Sequence, residues 1–229
     1  MAVRERIVRD DINTIAAFLD DVRDSTTGSS DAGLESPPFD FVVSIGSTPS
    51  VFQHKSVPDL NLNLPQIEIH PGNYTMFDRQ QQYVGVCNED DISGRVIARV
   101  IGHYPDRNTI MVDAGATALT KEQTPQGGVF AIGGHPELEC FRMSQEVSLI
   151  RKRPSNHTDT TAGVDNGQLH LNEPFPFEDF PLDSMVNLLP NHSCLAAACF
   201  SEYHIVEGSD TDFCLDQEVV EVWKPTKFF

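Results

Sequence analysis

The sequence changes its hydrophobic texture near residue 90, and that change limits the folds open to it. Ahead of it lie two apolar segments that each run into a glycine turn, "FDFVVSIGSTPS" and "NLPQIEIHPGNY". Five of the seven residues from Phe39 to Ile45 are apolar, the pattern of a buried strand. Gly46 breaks it. "STPS" then starts a helix, with Ser47 or Thr48 as N-cap and Pro49 at the first helical position. Two strands that each enter a glycine turn, with helical material between them, predict parallel βα units. A closed barrel needs eight such units in about 250 residues. Residues 1–85 therefore read as a partial (β/α)8 barrel, its last βα units.

Beyond residue 90 the segments shorten and become β-branched: "ISGRVIARVIGHY", "NTIMVDAG", "GGVFAIGG", "LECFRMSQEVSLIRK", "EYHIVEG" and a closing "QEVVEVWKP". Turn residues separate them. This predicts an antiparallel β domain over 90–229. Residues 3–23 carry Ile7, Ile12, Ile15, Phe18, Leu19 and Val22 near a helical period and predict an amphipathic helix. Residues 153–172 read as a polar loop. The expected fold class is thus α/β followed by mostly β.

The formal net charge of −18 excludes most function classes built on phosphate attraction, so neither nucleic acid nor an anionic membrane is an expected partner. No stretch reaches the roughly 20 apolar residues of a membrane helix. The amino-terminal residues lack a signal-peptide pattern, which predicts a cytoplasmic protein. Five cysteines, an odd number without a CxxC, argue against a disulfide framework. The sequons at Asn73, Asn156 and Asn191 carry little weight without a secretory route.

Three motifs offer chemistry. In "GSTP", a glycine, two hydroxyls and a proline-started helix make an anion cradle, although Ser/Thr-Pro also serves as an ordinary cap. "HPGNY" is similar: Gly72 lets a backbone amide approach a phosphate, or is simply a turn. "LLPNHSCLAAACF" sets His192 and Cys194 two residues apart. Both are zinc ligands, and Pro190 with Asn191 places His192 ahead of a helix that holds Cys194 in its first turn. There the helix dipole lowers a thiol pKa. The alternative is a capping histidine beside a buried cysteine. Cys199 reads as core packing, Asp113 as a turn cap, His135 as a turn residue or a further polar group near a site, and Arg151, Lys152 and Arg153 as a solvated loop.

In combination, "VSIGSTPS", "EIHPGNYTMFD", "VDAGATALTKEQ", "SQE" and "LLPNHSC" resemble the eukaryotic D-serine dehydratase family, in that family's order. The resemblance runs from about residue 38 to the end and matches the family's C-terminal half. It implies an alanine-racemase-like barrel followed by a β domain, and two cofactors, pyridoxal phosphate and zinc. It makes Ser47, Thr48, Gly72 and Asn73 the cofactor-phosphate residues and His192 and Cys194 the zinc pair. The implied substrate is D-serine or a similar small D-amino acid, converted to pyruvate and ammonia in a homodimer. The similar D-threonine aldolases carry an aspartate where this chain has Cys194, which favours the dehydratase. The chain departs from the family twice. Val147 and Ser148 follow "SQE" where a histidine and a glycine are usual. None of Lys55, Lys121, Lys152, Lys224 and Lys227 stands in the context of the Schiff-base lysine. The chain alone is therefore expected to be inactive. A non-catalytic zinc-binding or interaction module is the reading from another class.

Overall fold

The computed structural model describes residues 43–46, 67–70, 72–125, 127–153, 174–207 and 217–226. The expected helix over 3–23, the turn residues Ser47 and Thr48 with Lys55, and the polar loop after Arg153 lie outside them. The chain divides into two compact units, Met1–Tyr74 with Val84–Val86, and Thr75–Tyr83 with Cys87–Phe229.

In the first unit, β1 (Val43–Gly46) and β2 (Ile67–His70) pair in parallel, with Val43 opposite Ile67 and Gly46 opposite His70. The parallel pairing read from the two glycine turns is present. Parallel neighbours cannot be joined by a tight turn, which is why a long segment separates them.

The second unit is built on β3 (Val96–Tyr104), β4 (Thr109–Val112), β5 (Phe130–Ile132), β6 (Leu138–Met143), β7 (Ser148–Lys152) and β8 (Met185–Pro190). They form one sheet in the order β5-β8-β3-β4-β7-β6, antiparallel throughout. Its two end strands, β5 and β6, lie against each other, so the sheet curls into a nearly closed barrel. Strand β3 sets the pattern: Val96, Ala98 and Val100 are buried, while Ile97, Arg99 and Ile101 face out. Ile110, Val112, Leu138, Ile150 and Leu188 are wholly buried and fill the interior. Phe175 and Phe180 join the same core. A separate antiparallel ribbon pairs β9 (Tyr203–Val206) with β10 (Val219–Trp223).

Two sequence expectations need correction. Strand β8, "MVNLLP", is not among the expected strands. Pro190 closes the strand opposite Phe130, at its last position, where no further ladder bond is lost. The basic run Arg151–Arg153 is not a solvated loop. Arg151 and Lys152 belong to β7, Arg151 pairs with Glu139 at 2.9 Å, and the Nε of Arg153 donates to the Leu138 carbonyl at 3.1 Å. Asp113 does cap: its Oδ1 accepts the Arg99 N–H at 2.6 Å, where the β3–β4 register shifts.

The "SQE" turn supports the barrel's end. Helix α2 (Ala116–Leu119) follows Gly115, and a Cβ there would collide with the Gln145 backbone. That close approach lets Ala116 and Thr117 donate to the Ser144 and Gln145 carbonyls at 3.0 and 3.1 Å. Ser148, one of the two departures from the family pattern, is buried and donates to the Ala114 carbonyl at 2.6 Å.

Because Leu188 sits wholly buried in β8, between β5 and β3, Leu188→Ala should cost about 2–5 kcal/mol of stability. Urea denaturation measures this. An unchanged midpoint would show that the sheet is not the core described.

Candidate metal centre

The site begins where β8 ends. Asn191 makes the turn, His192 is the extended N-cap residue (φ −138°, ψ 97°), and α3 (Ser193–Ala198) follows. His192 thus precedes the helix and Cys194 lies in its first turn, as the proline and asparagine implied. The His192 side chain makes no capping bond of its own.

Asp78 does the capping instead. Its side chain is wholly buried, and it immediately precedes α1 (Arg79–Tyr83). One carboxylate oxygen accepts the Gln81 N–H and the other accepts the Ser193 N–H, each at 3.0 Å. A single carboxylate therefore satisfies orphan donors of both helices. Burial pushes the Asp78 carboxyl up, while the bonds from Gln81 and Ser193 and the nearby His192 pull it down. The Ser193 hydroxyl adds a bond to the Phe77 carbonyl at 2.5 Å.

His192 is oriented from the other side. Its Nδ1 lies 2.7 Å from Glu122 Oε2, and Gln80 Nε2 donates to the same oxygen at 2.7 Å. The bond to His192 is the main force holding the Glu122 carboxyl below its usual range. An ionised carboxylate only accepts, so Nδ1 carries the proton and Nε2 keeps its lone pair in the neutral ring. Asn191 locks the frame: its buried side-chain amide donates to the carbonyls of Glu122 at 2.8 Å and Gly128 at 3.0 Å. Those bonds occupy the nitrogen that a glycan would need. Metal-ligating histidines characteristically donate their other ring N–H to a carboxylate, so the arrangement around His192 is one that fits a zinc ion on Nε2. Among the described residues no group of three or more His, Cys, Asp or Glu gathers to hold an ion. The pair suits an open site, finished by water or substrate.

The thiols differ from expectation. Cys194 is exposed on α3, yet burial of its sulfur and the Asp78 charge push its pKa up rather than down. The helix is one and a half turns long, and a buried anion already sits at its N-terminus. A weak dipole cannot outweigh the burial and that charge together. Cys199 is not core packing: it is the exposed C-cap residue, its thiol 3.4 Å from the Leu195 carbonyl. Among the described residues the buried cysteines are Cys87 and Cys140.

In the first unit, Gly72 is exposed with open space where a Cβ would stand, and Asn73 is buried. Ser47 and Thr48 lie outside the described residues. His135 is a turn residue, with Nδ1 3.0 Å from Glu137 and its ring 4.9 Å from Phe180. Glu122, Asp78 and Gln80 were missed as site residues. A signal existed for Asp78 in "DRQQ", an N-cap aspartate followed by glutamine at the third helical position.

Residues 93–206 match the family model described as a putative serine dehydratase domain. The D-serine dehydratase of Dictyostelium discoideum is 32% identical over 195 residues, 81% of this chain and 42% of its own length. The D-threo-3-hydroxyaspartate dehydratase of Delftia sp. is 30% identical over 176 residues, 75% of this chain and 41% of its own. A solved structure of that dehydratase superposes with a TM-score of 0.59 at 25% identity, covering 82% of this chain and 45% of that one. An alanine-racemase-like protein of Idiomarina loihiensis superposes with a TM-score of 0.52 at 25% identity, covering 71% and 40%. The fold is therefore alanine-racemase-like. The chain spans less than half the length of the curated relatives it matches.

Burial pushes the Cys87 thiol up to about 11 and the Cys140 thiol up to about 12. Only the thiolate reacts, so neither should alkylate in the folded protein at neutral pH, while Cys199 should. Peptide mapping after iodoacetamide treatment reads this directly, and modification of Cys140 before Cys199 would contradict the burial described.

Proposed function

This chain is a relative of the D-serine dehydratases, and from that premise we propose that it is the C-terminal portion of a pyridoxal-phosphate- and zinc-dependent lyase. The lyase removes ammonia from D-serine or a similar small D-amino acid, giving pyruvate from D-serine. The observation that carries this reading is the 2.7 Å bond between Glu122 and His192 Nδ1, which leaves Nε2 for a metal.

His192 and Cys194 hold the zinc, and the metal supplies Lewis acidity toward a substrate β-hydroxyl. Glu122 fixes the tautomer and plane of the imidazole. Gln80 shares the load on Glu122 Oε2 and keeps that carboxylate from turning. Asp78 holds the start of α3, and with it the backbone that carries Cys194. Pyridoxal phosphate, when bound, supplies an electron sink for the substrate's Cα. Its phosphate is held by Ser47, Thr48, Gly72 and Asn73. The open space beside Gly72 fits an anion approaching that backbone. None of the five lysines stands in the family's lysine context, so the chain by itself has no turnover.

Zinc content of the purified chain tests the reading. The wild type should hold close to one equivalent, and His192→Ala and Cys194→Ser should lose it. Equal zinc in all three would refute the site. Glu122→Gln should weaken zinc binding by roughly 10–100-fold with the fold intact, the usual loss when an orienting carboxylate is removed. In the absence of any other chain, addition of pyridoxal phosphate and D-serine should yield no pyruvate, and turnover would show that one of these lysines serves the cofactor after all.

A further inference from the structure

The antiparallel sheet carries a second concave feature, which the metal centre does not use. It is a cavity of about 390 Å³ lined by residues of β6 and β7 and by the segment that leads into β5. Glu139 and Arg151 are cross-strand partners there. Leu138, Cys140 and Ile150 beside them belong to the core, and Cys140 lines the cavity as well.

The cavity's charge is the reverse of the protein's. Among the described residues, Lys121, Arg142 and Arg151 line it against a single carboxylate, Glu139, in a chain whose net charge is −18. Arg151 Nε meets Glu139 Oε1 at 2.9 Å, and their side chains are only 21% and 12% exposed. A desolvated pair of this kind brings little net stability. Its value lies in fixing groups in place. The guanidinium is also held 4.6 Å from the Phe141 ring centroid. Arg151 thus spends one N–H on Glu139 and keeps its terminal fork, a planar donor set matched to a carboxylate. Glu139 keeps its second oxygen as an acceptor.

We propose that this cavity binds a small acidic amino acid. The α-carboxylate lies on the Arg151 fork, the ammonium on the free oxygen of Glu139, and the second carboxylate between Arg142 and Lys121 at the rim. A fork beside an acceptor recognises a zwitterion, and the two additional cations select an acidic side chain over a neutral one. The site is independent of His192: Lys121 and Gln123 line the cavity, whereas the intervening Glu122 side chain turns to the imidazole. The inference therefore stands whether or not the chain binds zinc.

Isothermal titration calorimetry with aspartate of either hand tests it. Saturable binding at one site per chain is expected. Arg142→Gln, on the exposed rim, should weaken it roughly tenfold, the worth of one charge-assisted hydrogen bond. Arg151→Lys keeps the charge, removes the fork and should weaken it at least as much. Should Arg151→Lys fail to fold, Arg142→Gln still decides the matter. His192→Ala should bind aspartate as the wild type does. The proposal is overturned if aspartate does not bind, if Arg142→Gln binds it unchanged, if inorganic phosphate binds more tightly than aspartate, or if His192→Ala abolishes binding.

Discussion

Asp78 accepts a backbone N–H from each of two short helices, one preceding the barrel in sequence and one following β8. Neither α1 nor α3 is long enough to be stable alone, since isolated helices below about 12 residues are marginal in water. Each hydrogen bond to a charged group contributes about 1.5–3 kcal/mol. Leaving either donor unpaired in this buried place would cost a similar amount. The carboxylate therefore does more than finish two helix ends. It ties residues 77–81 to the turn that presents His192 and Cys194, and so fixes where the two proposed ligands stand.

Around that anchor the site is built from acceptors. Glu122 and Asp78 approach His192 and α3 from different segments, and the carbonyls of Glu122 and Gly128 take both hydrogens of the Asn191 amide. Burial of the sulfur, with the Asp78 charge beside it, disfavours a free thiolate and accounts for the upward push on Cys194. A bound cation reverses that balance, because its charge compensates Asp78, Glu122 and the thiolate together. On the proposed reading, the same geometry that keeps the thiol protonated suits a divalent metal.

The two parallel strands and the antiparallel sheet were legible in the sequence, because glycine turns and β-branched runs report local geometry. So was the order of turn, His192 and helix, since proline and asparagine punctuate the chain whatever surrounds them. Strand β8 was not legible: its six residues include the polar Asn187 and end in proline, and only its partners β3 and β5 reveal it as an interior strand. Glu122 was equally hidden, being 70 residues from His192 in sequence and recognisable only once β8 brings the two together. Cys199 and Arg151 were misassigned for one reason. Helical or loop position says little about exposure until the neighbouring strand is known.

The central claim is that His192 and Cys194 form one metal site whose imidazole is aimed by Glu122. Cobalt(II) titration followed by visible absorption tests it most directly, because a thiolate on cobalt gives a charge-transfer band that no other ligand here produces. The account predicts such a band in the wild type, its loss in Cys194→Ser and His192→Ala, and weaker cobalt binding with the band retained in Glu122→Gln. A band that survives in Cys194→Ser, or its absence in the wild type at saturating cobalt, would contradict it.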